Sequence, residues 1–154
     1  MKTIIKNGHI FTESELESRE EILYETYAKT INIEALTMID MASTQIIPAV
    51  MGYSQKLART VVDVRAAGVE PVVQAELLGQ INEKLGEMKK ALTELTEKEA
   101  GIYAMKDVKA QAFCYKDVIV PAMEALRKPA DELEMLVDRE CWPFPTYGDL
   151  MFEV

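Results

Sequence analysis

The chain has 154 residues, 49% of them apolar, which is enough to bury one core of ordinary domain size. A formal charge of -9 and a pI near 4.7, with basic residues scattered singly among acids, argue against a nucleic-acid backbone or an anionic membrane as partner. The two cysteines, Cys114 and Cys141, lack CxxC or Cys/His spacing, so they read as reduced thiols and not as a zinc or redox motif.

Met1 to Phe11 has no continuous apolar run and no small-residue cleavage site, so no secretory signal is expected. It reads as a lead-in, residues 1–11, with Thr3 to Ile10 ambiguous between strand and coil. Thr12-Glu13-Ser14-Glu15 is a capping-box pattern: the Thr12 hydroxyl can accept from an orphan N–H while the Glu15 carboxylate reaches back to the cap. A helix is predicted from there. Tyr24, Ala28, Ile31, Ala35, Met38, Ala42, Ile46, Ala49, Tyr53, Leu57 and Val61 then recur at spacings of three and four, one apolar stripe that lasts until Gly68. Pro48 interrupts it, and because proline lacks a donor and crowds the preceding turn, a kink is predicted near Thr44 to Pro48. Met38, Met41, Ala42, Ala49 and Met51 around that point suit a helix crossing, since small and flexible side chains permit close approach; without His or Cys nearby they read as core filler. The apolar run Ile31 to Met51 is broken by Asn32, Glu34, Asp40 and Gln45 and falls short of the roughly 20 apolar residues of a membrane span. Glu34 and Asp40 read as a structural ion pair or as the exposed side of that helix.

Gly68-Val69-Glu70-Pro71 supplies a C-cap glycine and then a proline suited to a first helical turn, so a second helix should open at Pro71. Its predicted core face is Val72, Ala75, Leu78, Ile81 or Asn82, Leu85, Met88, Leu92 and Leu95. Opposite charges from Glu83 to Lys98, several three or four apart, describe a solvated face. Gly79 and Gly86 each cost about 1 kcal/mol against Ala in a helix, so they either permit close packing or mark irregularity. Gly101 is a possible division before a third helix with Val108, Ala112, Tyr115, Val118 or Ile119, Met123 and Leu126 inward, and with Pro121 as a second kink. Pro129-Ala130-Asp131-Glu132 then resembles a new first turn, proline plus acids, ahead of Leu133, Met135, Leu136 and Val137.

These elements predict an all-α fold: an antiparallel helical bundle of about four helices, one of them long and kinked, in a single domain of residues 1–154. Residues 139–154 should form a non-helical aromatic tail. Its Trp142, Phe144, Tyr147, Leu150 and Phe152 carry apolar area that a free end would not expose, so they are the candidate docking residues. No catalytic, cofactor or metal residues can be named. His9 is the single histidine and lies ahead of the first helix, the glycines are isolated from one another and from any strand, and the carboxylates are spread over helix surfaces.

Glu17-Ser18-Arg19, Lys29 to Ala42, Ile47-Pro48-Ala49, Leu126 to Glu134 and Trp142 to Val154 carry a resemblance to the C-terminal helical domain of type III glutamine synthetases, extending from about Asn7 to Val154. Glu20 departs from it, standing where an aromatic is common. The resemblance implies a large cytoplasmic parent enzyme that ligates ammonia to glutamate with ATP and magnesium or manganese, built as stacked rings of identical subunits. Its catalytic groups would all lie upstream of Met1, so no family catalytic residue transfers to this chain. The chain itself is then expected to be a non-catalytic assembly domain, whose partners are the catalytic core of the same polypeptide and neighbouring subunits. A free-standing helical adaptor or regulatory protein using the same aromatic tail is the alternative from another class. Contribution to the rim of a neighbour's active site is a third reading, for which no residue stands out.

Overall fold

A computed structural model describes residues 12–145 and 147–152. The expectations for residues 1–11, His9 among them, fall outside the described residues. Among the described residues there is no strand. The elements in order are α1 (Glu13–Met41), a π-helical segment π1 (Ala42–Ile46), α2 (Ile47–Ala66), α3 (Val72–Tyr103), α4 (Val108–Cys114), a second π segment π2 (Tyr115–Ile119), α5 (Val120–Leu136) and α6 (Tyr147–Phe152). Since α1, π1 and α2 are continuous, they make one helix of 54 residues, about 80 Å long at 1.5 Å per residue.

The long helix starts at the capping box. Glu15 N–H donates to Thr12 Oγ1 at 3.3 Å, and Thr12 N–H donates to Glu15 Oε2 at 2.8 Å. The helix ends in a Schellman turn, with Gly68 at φ 84° and hydrogen bonds from Gly68 N–H to Arg65 C=O and from Val69 N–H to Val64 C=O. That positive φ is where glycine is needed. α3 returns antiparallel along α2 and α1. α4 and α5 run back again: Lys109 Nζ lies 3.9 Å from Glu20 Oε1, Phe113 meets Tyr24 at 5.9 Å between ring centroids, and Lys84 of α3 bridges to Glu132 of α5 at 2.8 Å. α3 sits between its neighbours, with its main packing on α5 and α2.

At both prolines where a kink was predicted, the structure has a π-helical segment. Proline at position i removes a donor and crowds the carbonyl at i-4. A π turn moves the bonding to i→i+5, so Ile47 N–H reaches Ala42 C=O just before Pro48 and Val120 N–H reaches Tyr115 C=O just before Pro121. The helix widens for five residues and then resumes with proline in its first turn.

The apolar stripe of the long helix faces the core as expected, with Ala28, Ala35, Ala42, Ile46 and Leu57 buried. Glu34 and Asp40 are on the exposed side. Where two registers were open, Ile81 and Ile119 are fully buried, whereas Asn82 is exposed and Val118 is partly so.

Four expectations are corrected. Val72 and Ala75, assigned to the core, are exposed, and at this end of α3 it is Pro71 that is buried instead. Gly101 does not divide a helix: α3 runs through it to Tyr103, since burial of Ile102 one residue later outweighs a cost of about 1 kcal/mol. The true break follows at Ala104, and Asp107 caps the next helix by accepting from Lys109 N–H and Ala110 N–H. Pro129 starts no new segment but lies inside α5, because Leu126, Pro129 and Leu133 share one buried face that holds the helix together. The tail is not wholly non-helical: residues 137–145 are irregular, but Tyr147–Phe152 forms the short helix α6, which brings the helices among the described residues to four when those joined by π segments are counted as one.

Candidate docking surface

The tail leaves α5 at Val137, which is buried, and turns back over the bundle through hydrogen bonds from Cys141 and Trp142 N–H to Asp138 C=O. Glu140 N–H donates to Asp138 Oδ1 at 2.9 Å, and Arg139 pairs with Asp149, tying the turn to α6. Trp142 and Phe144 are half-buried and pack on the core of their own bundle. Leu150, in contrast, is 71% exposed, as is its neighbour Met151 at 72%. The side chains of Tyr147 and Phe152 fall outside the described residues.

Beneath the tail lies a cavity of about 290 Å³. Its floor is π1 and the end of α1, through Met38, Met41, Ala42 and Ile46, with Met88 of α3 behind them. Leu126 and Ala130 of α5 form one wall, and Trp142, Phe144 and Leu150 of the tail form the roof. Arg127, Asp131 and Glu134 supply its polar edge.

The other notable surface is on α1. Ile22 and Ile33 are eleven residues apart, close to three full turns, and therefore point the same way, with Leu36 one turn beyond. They are 56%, 64% and 47% exposed, and Leu23 beside them is 70% exposed. The three-four stripe marks only the inward face of this helix. The outward apolar residues stand in the sequence as extra Ile and Leu outside the three-four period, but only the packing of the bundle leaves them without a cover among the described residues.

Among the described residues a buried polar cluster sits within the bundle, unannounced by the apolar period. Asn32 Nδ2 donates to Glu99 Oε1 and to Tyr115 Oη, both at 2.7 Å, where Glu99 is only 9% and Tyr115 only 1% exposed. Burial pushes the Tyr115 hydroxyl above its ordinary pKa, and the nearby Glu99 charge adds to the rise. The signal for Glu99 was its position: four after Leu95 and three before Ile102, an acid on the core face of α3. The three side chains join α1, α3 and π2, which is a structural role.

Elsewhere the electrostatics are superficial. Hydrogen bonds to Glu132 and Glu87 raise the Lys84 pKa, and Lys84 in turn holds Glu132 below its ordinary value. Lys56 Nζ lies 3.2 Å from Cys141 Sγ, an interaction that raises the Lys56 pKa and pins the base of the tail to α2. Among the described residues no three His, Cys, Asp or Glu side chains gather as a metal site, and no helix is long and apolar enough to cross a membrane.

Comparison with known proteins finds the sequence similar to glutamine synthetases. Residues 1–65 match the family model described as the glutamine synthetase C-terminal domain. A glutamine synthetase of Butyrivibrio fibrisolvens is 33% identical over 147 residues, covering 94% of this chain and 21% of that protein. The type-3 glutamine synthetase of Dictyostelium discoideum is 32% identical over 164 residues, covering 96% and 22%. A glutamine synthetase of Bacteroides fragilis (strain YCH46) is 27% identical over 157 residues, covering 98% and 22%. The chain therefore spans about a fifth of the length of these curated relatives.

Proposed function

We propose that this chain, a C-terminal helical domain homologous to the ends of glutamine synthetases, type-3 enzymes included, is the non-catalytic assembly module of such an enzyme. The parent would make glutamine from glutamate and ammonia with ATP and magnesium or manganese, in the cytoplasm, as a ring of identical subunits. Its catalytic groups would lie in the remaining four-fifths of the polypeptide.

The observation that carries this reading is the outward row Ile22, Ile33 and Leu36 on a helix whose opposite face already packs the core. Isolated apolar residues on a surface need no explanation, but an aligned row on one rigid helix suits contact with another protein surface. Residues 1–154 then act as one domain, with α1 presenting its outward apolar row to the catalytic core or to a neighbouring subunit. The tail residues Trp142 and Phe144 contribute by bracing the bundle, while Leu150 reaches outward.

The test is made in the full-length enzyme. Ile33→Asp with Leu36→Asp should break ring assembly while the domain keeps its helical content, and deletion of Trp142 to Val154 should lower assembly or turnover. Normal rings and normal turnover in both variants would refute the proposal. The free-standing adaptor finds no support in relatives about five times as long as this chain. A native polypeptide of 17.4 kDa in the source cells would reinstate it.

A further inference from the structure

The cavity under the tail has features that assembly does not require. At about 290 Å³ it is roughly twice the ~150 Å³ apolar cavity that accommodates a benzene ring in an engineered core. It therefore has room for a compact hydrocarbon body, close to the lower end of small-molecule sites, which run from about 300 Å³. Its floor is methionine, from Met38, Met41 and Met88, whose unbranched thioethers repack around irregular shapes. It is built on π1, a local widening of the helix of the kind that recurs at functional sites.

The polar edge selects the charge of an occupant. Arg127 Nε pairs with Asp131 Oδ2 at 3.3 Å, so that acid is already compensated. Glu134, one turn further along α5 on the same edge, has no ion-pair partner among the described residues. A carboxylate beside an apolar cleft favours a cation whose hydrocarbon part fills the cleft. Leu150, which lines the roof, is itself 71% exposed, so that side of the cleft reaches the surface of the bundle.

We infer that the cleft formed by π1, α5 and the tail is a binding site for a small hydrophobic amine, with the hydrocarbon against Met38, Met41 and Trp142 and the ammonium at Glu134. This does not rest on the assembly role and would stand or fall without it.

Trp142, the chain's one tryptophan, lines the cleft and reports on it directly. The full chain is titrated with 1-aminoadamantane and, separately, with 1-adamantanecarboxylate, neither of which absorbs where tryptophan is excited. The amine should change Trp142 emission saturably, with a Kd at least tenfold below that of the carboxylate. Glu134→Gln should remove that discrimination, and Ala130→Leu, which fills the cleft, should weaken both ligands tenfold or more. Should the filled variant lose its fold, the methyl resonances of the unsubstituted chain serve instead: Met38, Met41 and Met88 shift with the amine, and Met135, which is 85% exposed, does not. No saturable change, equal affinity for amine and carboxylate, or uniform shifts of all methionines would overturn the inference. Binding by this chain that disappears in the full-length enzyme would also overturn it, since the cleft would then house a protein side chain.

Discussion

α1 and α3 are of similar length and pack in the same bundle, yet their outer faces are opposites. α3 buries Ile81, Met88, Leu92, Leu95, Glu99 and Ile102, and along its middle turns toward water charges such as Lys98 paired with Glu94, its exposed Val72, Val73 and Tyr103 standing only at its two ends. α1 buries only Ala28 and Ala35 outright, and turns outward Ile22, Leu23, Ile33 and Leu36. Helix formation alone accounts for neither pattern, because a solvated helix would gain more from charges than from isoleucine at those positions. The outer face of α3 is finished for solvent. That of α1 leaves Ile22, Leu23, Ile33 and Leu36 open, which is the contrast the proposed assembly role rests on.

Core substitutions in α3 should have the largest effect. Leu95→Ala, at a position with no exposure, should cost about 2–5 kcal/mol in urea unfolding of this chain. A value below 1 kcal/mol would mean that α3 is not the packing centre. Next comes the polar link between the two helices. Asn32→Ala removes the donor held by the buried Glu99 carboxylate and should cost about 1–3 kcal/mol, read in the same way. Gly79→Ala and Gly86→Ala should act with the opposite sign, raising stability by up to about 1 kcal/mol each, because a Cβ at either position meets nothing within 4 Å. Destabilisation at either would show that the outer face of α3 is covered after all.

Ile33→Lys on α1 should leave the stability of this chain unchanged within about 0.5 kcal/mol, as at any open surface site, while weakening assembly of the full-length enzyme. A large loss in the chain alone would erase the contrast between the helices. The smallest effect belongs to the exposed bridge from α3 to α5. Lys84 lowers the Glu132 pKa, so the bridge contributes above the ordinary carboxylate value of 4.5 and its contribution is lost as pH falls through the lowered value. Lys84 is raised by the same partners, so its share is present below 10.5 and disappears only as pH rises past its raised value. Glu132→Gln should therefore lower the melting temperature slightly at neutral pH and not at all in strong acid. A difference that persists in acid would assign the effect to packing.

Much of this architecture was legible from residues alone. The capping box at Thr12, the inward stripe from Tyr24 to Val61 and the Gly68–Pro71 reversal rest on local chemistry, so they survive folding unchanged. Gly101 and Pro129 misled because each is only a local stop, of about 1 kcal/mol for glycine and about 3 kcal/mol for proline, and burial of Ile102 in one case and of Leu126, Pro129 and Leu133 together in the other outweighs it. In the tail, Trp142 and Phe144 were legible as large apolar residues that need a surface, but nothing in their spacing said that the surface is their own bundle.

The sequence by itself determined that the chain is helical, where its longest helix begins and ends, and where proline would disturb it, because capping, glycine conformation and the missing proline donor act within a turn or two. Only the tertiary structure decided that the disturbances are π turns inside unbroken helices, that Glu99 is buried beside Asn32 and Tyr115, and that Ile22, Ile33 and Leu36 have no cover within the described bundle. Those outcomes depend on which helix faces which, and contacts between residues 67 or 83 positions apart, such as Asn32 with Glu99 and with Tyr115, leave no local trace in the order of the chain.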